Sequence, residues 1–163
     1  WRSSALPGGS PGGADGSPTE PIPFNSWAWQ FFTPTEQANP LIGGPDADLD
    51  LDGLTNFAEF VLGGNPRIAD AINWTTSLFA DGLGNTFLAL SLRRSALASG
   101  VTFFFECADS PSGPWTSSGQ PGGPVPIGGG INNGDGTETV TYRDIVLYTS
   151  ASQRSMRVRA IGN

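Results

Sequence analysis

The spacing of apolar residues changes character along the chain. Between Phe24 and Leu62 they recur at helical intervals, and beyond Asn65-Pro66 they alternate with the two-residue period of strands. Within residues 24–32, Phe24, Trp27 and Phe31 fall at i, i+3 and i+7, which predicts a short helix with an aromatic stripe facing a core. Thr33-Pro34-Thr35-Glu36 predicts a second helix start, with Thr33 as N-cap, Pro34 in the first position and Glu36 reaching back as in a capping box. That helix must be short, because Pro40, Gly43, Gly44 and Pro45 follow. A third helix is expected over about residues 54–62, burying Phe57, Phe60 and Val61 and stopping at Gly63-Gly64.

Strands are predicted over residues 86–93, 101–107, 137–142, 145–148 and 154–161. Val101, Phe103, Phe105 and Cys107 share one face of the second of these; in the last, Met156, Val158 and Ala160 oppose Arg157 and Arg159. The intervening loops are rich in Pro and Gly. The pattern as a whole predicts a mainly β fold: an antiparallel β-sandwich preceded by a small helical segment. The expected organisation is an extended Gly/Pro/Ser-rich arm or linker at 1–20, a helical loop subdomain at 21–66 and a β-sandwich domain at 67–163.

One polar stretch interrupts the helical part. Asp48, Asp50, Asp52, Gly53 and Glu59 occupy positions 1, 3, 5, 6 and 12 of the twelve-residue EF-hand calcium loop. Calcium takes six to eight oxygen ligands, and alternate acidic residues in a curling loop aim their carboxylates inward. The Leu54 carbonyl would supply position 7, and Asn56 would supply position 9 directly or through a water. Gly53 allows the sharp turn at positive φ. The competing reading is a solvated acidic loop ahead of a helix, against which stand the repulsion of closely spaced carboxylates and the register of the glycine and the closing glutamate. The Pro and Gly residues before the loop exclude a regular entering helix, so a single site without a partner hand is expected, structural rather than regulatory.

Composition narrows the functions further. The net charge is −7, and five of the fifteen acids (Asp46, Asp48, Asp50, Asp52 and Glu59) lie in this one stretch. No basic patch is present to release counterions from phosphates, so nucleic acid is not an expected partner. All eight basic residues are arginine, which removes histidine acid–base chemistry, histidine metal ligation and lysine Schiff bases. Cys107 is the single cysteine and reads as a small buried hydrophobe. No apolar run is long enough to span a bilayer. The chain begins with Trp1 rather than Met, as expected of a processed or excised piece.

From about Phe24 onward the chain resembles a module found near the C-termini of large secreted and surface proteins of environmental bacteria. The resembling residues are the 27–32 helix; Ala38-Asn39-Pro40-Leu41-Ile42-Gly43-Gly44-Pro45-Asp46-Ala47-Asp48; Asp52-Gly53-Leu54-Thr55-Asn56; and Glu59-Phe60-Val61-Leu62-Gly63-Gly64-Asn65-Pro66. They continue in Leu92-Arg93-Arg94, Phe103-Phe104-Phe105-Glu106, Asp109-Ser110 through Trp115, and Met156-Arg157-Val158-Arg159. The loop itself looks like those of thrombospondin type 3 repeats and dockerins. The resemblance implies a calcium-binding, non-catalytic β module, secreted or displayed at the cell surface, with Asp48, Asp50, Asp52, Asn56 and Glu59 as ligands. Leu49 and Leu51 depart from it, standing where such loops often carry Pro or Gly.

These readings converge on an extracellular calcium-binding structural module, self-assembling into a filament or surface layer, with the 1–20 arm adding to a neighbouring copy's sheet edge or lying in its groove. The alternative is a carbohydrate-binding or adhesive accessory module for extracellular polysaccharide, with Trp27, Trp29, Trp74 and Trp115 as stacking platforms. No catalytic residues are assigned. Only carboxylate chemistry remains open to an enzyme, and Glu106, Asp109 and Asp144 show no pairing in the sequence. Asn73-Trp74-Thr75 matches a glycosylation sequon and is read as chance.

Overall fold

The computed structural model describes residues 20–69, 74–149 and 153–163; most of the 1–20 arm, and Asn73 of the sequon, lie outside the described residues. The chain is mainly β with few helices. Three short helices come first: α1 (Phe24–Ala28), α2 (Pro34–Gln37) and α3 (Asn56–Leu62). Eight strands follow: β1 (Trp74–Ala80), β2 (Thr86–Ser95), β3 (Val101–Ala108), β4 (Thr116–Ser117), β5 (Val125–Pro126), β6 (Ile131–Asn132), β7 (Thr137–Leu147) and β8 (Ser155–Gly162).

The chain divides into two compact units. The first takes in the described residues up to 69 together with 94–100 and 132–138. Its core is aromatic: Phe24 and Trp27 of α1 lie 5.7 Å from Phe60 of α3, and Trp27 lies 4.9 Å from Phe31. The capping box forms, with Thr33 N–H donating to Glu36 Oε2 at 2.8 Å and Glu36 N–H donating to Thr33 Oγ1 at 3.3 Å. Arg67 fastens this corner by donating to the Phe31 carbonyl and to Glu36 Oε1, and its hydrogen bond holds the Glu36 carboxyl down to about 2. Helix α3 begins two residues later than its apolar spacing suggests, because Thr55 acts as its N-cap, accepting from Ala58 N–H at 3.3 Å. It stops at Gly63 in the left-handed conformation.

The second unit takes in the described residues of 73–93, 101–131 and 139–163. Strands β1-β2-β7-β5 form one sheet, with β6 also pairing β7, and β4-β3-β8 form another. The pairings of β1 with β2, β3 with β4 and β8, and β5 with β7 are antiparallel. Strand β3 departs from the alternation its sequence predicts: residues 101–104 are all half-buried and residues 105–108 all buried, with Phe105 and Cys107 each 1% exposed, because Glu106 between them is covered by arginine. The Phe105 ring stacks on Tyr142 of β7 at 3.8 Å. Residues 137–147 form one strand where two were expected, since Asp144 continues the ladder instead of breaking it. Strand β1 was not anticipated: six of its seven residues are exposed, so it carries little alternation to read.

Asp144 is wholly buried, and it is satisfied from several sides. Its carboxylate accepts from the Ile145 and Val146 N–H groups and from both Nε and Nη2 of Arg154, whose Nη1 reaches Asp109. Burial alone would raise this carboxyl; the Arg154 bonds and the backbone donors bring it below its ordinary value. Cys107 lies nearby with its thiol against the Gly122 carbonyl, and burial raises its pKa.

Candidate metal centre

The acidic loop curls because its own backbone bonds to its first carboxylate. Asp48 Oδ1 accepts from Leu51 N–H at 2.8 Å, and Oδ2 accepts from Gly53 N–H at 3.0 Å. Asp52 Oδ1 accepts from Leu54 N–H at 2.7 Å. The turn demands positive φ twice, at Gly53 (93°) and at Leu51 (63°). Leu51 is thus a side-chain-bearing residue in left-handed backbone, at a position where a glycine would sit without strain. It is also 84% exposed.

This curl brings one carboxylate oxygen from each of Asp48, Asp50 and Asp52 within 4.8 Å of the others. Asp50 Oδ2 is buried and accepts no hydrogen bond among the described residues. Burial, followed by repulsion from Asp52 and Asp48, raises the Asp50 carboxyl above its ordinary value. Glu59 is 1% exposed on α3, and its carboxylate does not belong to the close triad. The Leu54 residue is half-buried.

Asn56 has a second role that the loop spacing does not reveal. Its Nδ2 donates to the carbonyls of Ile42 (2.7 Å) and Gly44 (2.8 Å), and its backbone N–H donates to Ala47 O at 2.7 Å. Two carbonyl partners force the amide orientation, so Oδ1 is the remaining acceptor; it is buried and accepts no hydrogen bond among the described residues. Asn56 thus ties residues 42–47 to the first turn of α3 while keeping one oxygen uncommitted. The same segment is tight elsewhere, since a Cβ on Gly44 would lie 2.3 Å from the Pro40 carbonyl oxygen. The sequence signal available was the Gly43-Gly44 pair twelve residues before a buried asparagine, which has no reading without the fold.

The clustered oxygens of Asp48, Asp50 and Asp52 make a hard donor set, with Asp50 Oδ2 buried and short of a partner, which fits a hard cation and offers no nitrogen or sulfur to a softer one. An uncompensated buried polar atom costs about 1–3 kcal/mol, so a cation here would offset a penalty the apo loop carries.

Of the other candidate residues, Asp109 and Asp144 are brought together on Arg154. Trp27 lies in the aromatic core, Trp29 and Trp74 are 46% and 45% exposed, and Trp115 sits beneath the Arg157 guanidinium at 4.2 Å. Glu106, Asp109 and Asp144 are each engaged by arginine. No described helix is long and apolar enough to cross a membrane. Comparison with family models, curated proteins and solved structures gives no match.

Proposed function

We propose that the chain is an extracellular calcium-binding structural module, its two sheets forming an antiparallel β-sandwich and its acidic loop an EF-hand-like site. The observation that carries this reading is the pairing of three clustered carboxylates with two buried oxygens, Asp50 Oδ2 and Asn56 Oδ1, that lack hydrogen bonds among the described residues. Asp48, Asp50, Asp52, Asn56 and Glu59, with the Leu54 carbonyl, would hold the ion; bound calcium would supply positive charge that neutralises the loop. The chain's own residues do the rest. The Leu51 and Gly53 N–H groups orient Asp48, and Asn56 fixes the 42–47 segment so that the loop closes against α3.

The leading form of this function is self-assembly into a filament or surface layer, with residues 1–20 meeting a neighbouring copy. Supporting it are a turn-rich β body and an N-terminal stretch whose Gly, Pro and Ser content builds no core. The deciding experiment is calorimetric titration of the intact chain with calcium and magnesium, followed by negative-stain microscopy in millimolar calcium and in chelator. Calcium heat that disappears in Asp50→Asn, with assemblies lost in chelator and on deletion of residues 1–20, is the expected result. Absence of calcium heat overturns the metal reading, and monomers under every condition overturn self-assembly.

A further inference from the structure

The outward face of the β4-β3-β8 sheet carries a row of charges and rings that neither the loop nor the core accounts for. Because Phe105 and Cys107 face the buried side, the alternate residues Thr102, Phe104 and Glu106 face the other, opposite Ile161, Arg159 and Arg157 of β8. Arg157 reaches across β3 to lie 4.2 Å over the Trp115 ring, and Arg159 lies 4.5 Å over Phe104. Both donate to one carboxylate, Arg157 Nε to Glu106 Oε2 at 2.6 Å and Arg159 Nη2 to Oε1 at 3.4 Å, and Ser117 Oγ adds a third donor. Glu106 is thereby sealed to 3% exposure while the arginine side chains remain 44% and 45% exposed.

Two guanidiniums share one carboxylate, so the row keeps a net positive charge on a chain whose total is −7. Stacking on rings and bonding to Glu106 fix the planes of both groups before any ligand arrives, leaving N–H edges turned to solvent in the planar fork that matches a carboxylate. We propose that this face binds a carboxylate-bearing polysaccharide, a uronate polymer laid along β3 and β8. Charge complementarity selects an anion. The face lacks the desolvated apolar centre that anchors protein partners, because its two rings lie under the guanidiniums. A pair of arginines releases too few counterions to hold a nucleic acid on so acidic a chain. The hydroxyls of Ser117 and Thr102 flank the row; they donate to Glu106 and Asn163, and their oxygens keep lone pairs that can accept from sugar hydroxyls.

The proposal is independent of calcium, and its test is run on the intact chain with and without chelator. Affinity electrophoresis through hyaluronan, a uronate polymer that calcium does not gel, is compared with electrophoresis through neutral dextran. Retardation by hyaluronan alone, abolished by high salt and weakened at least about tenfold in Arg157→Gln/Arg159→Gln, is the expected result. Should that variant lose its cooperative melt, Arg157→Lys/Arg159→Lys decides: it keeps the charge, loses the fork, and is expected to bind several-fold more weakly than the parent. Equal retardation by dextran, or retardation unchanged in the folded variant, overturns the proposal. Unchanged hyaluronan retardation with an altered sedimentation coefficient would assign the face to a protein contact and overturn it as well.

Discussion

An acidic cluster in each unit shows opposite ways of handling negative charge. In the first, Asp48, Asp50 and Asp52 are held near one another and against backbone N–H groups, and Asp50 is pushed toward its protonated form. In the second, the buried carboxylates Asp144 and Glu106 are each met by arginine and pulled toward ionisation, although burial opposes it. Asp144 and Glu106 have arginine counter-charges within the fold, whereas the loop, on the proposed function, takes its counter-charge from solution. The difference teaches that the chain's acidity has two physical meanings; on the proposed function, calcium dependence belongs to the loop.

The largest expected effect comes from breaking the internal pairing. Asp144→Asn leaves Arg154, whose side chain is 9% exposed, without its main partner and is expected to cost about 3–5 kcal/mol. The loss, read by denaturant melts, should be the same in calcium and in chelator. Phe60→Ala should cost a similar amount, about 3–5 kcal/mol, through the aromatic core of the other unit. Its signature should be weakened calcium binding in calorimetry, since α3 carries Asn56 and Glu59. Next in size is calcium itself. At the ~10⁻⁴–10⁻³ M affinity of extracellular modules, 10 mM calcium should add about 1.4–2.7 kcal/mol, and Asp50→Asn should remove that increment in melts with and without chelator.

Acid sharpens the contrast by its sign. Asp144 and Glu106 have lowered folded values, so their stabilisation is present above the ordinary carboxylate range and is lost as pH falls through those lowered values. Asp50 has a raised folded value, so in chelator its contribution is present at low pH and is lost as pH rises through that value. The stability differences of Asp50→Asn and Asp144→Asn from the parent, taken from melts in chelator between pH 3 and 6, should therefore run in opposite directions with pH, and parallel differences would contradict the assignment. The smallest effect is expected at Leu51→Gly, which relieves left-handed strain but loosens the unfolded chain, for a gain of at most about 1 kcal/mol in thermal melts.

Local features were readable in the sequence because they need only neighbours. The Thr33–Glu36 box and the Gly63 stop each form within a few residues. The acidic triad was readable for the same reason, and so was the departure at Leu51, which the structure places at positive φ. What escaped was set by distant partners. Asn56 binds carbonyls twelve and fourteen residues away, and Glu106 meets Arg157 only through the β3–β8 register. Strand β1 escaped because exposure on both faces erases the alternation that marks a strand. Thr55 fell inside the helix expected over about residues 54–62, whereas it is the N-cap and its hydroxyl begins the helix.

The lone thiol of Cys107 gives this molecule a built-in clock. It is 1% exposed, its carbonyl contact and burial hold it in the unreactive form, and the sequence contains no other cysteine to compete. A thiol reagent in excess can therefore modify the chain only when the sheet around β3 opens. The modification rate measures that opening alone, under native conditions, in calcium or in chelator.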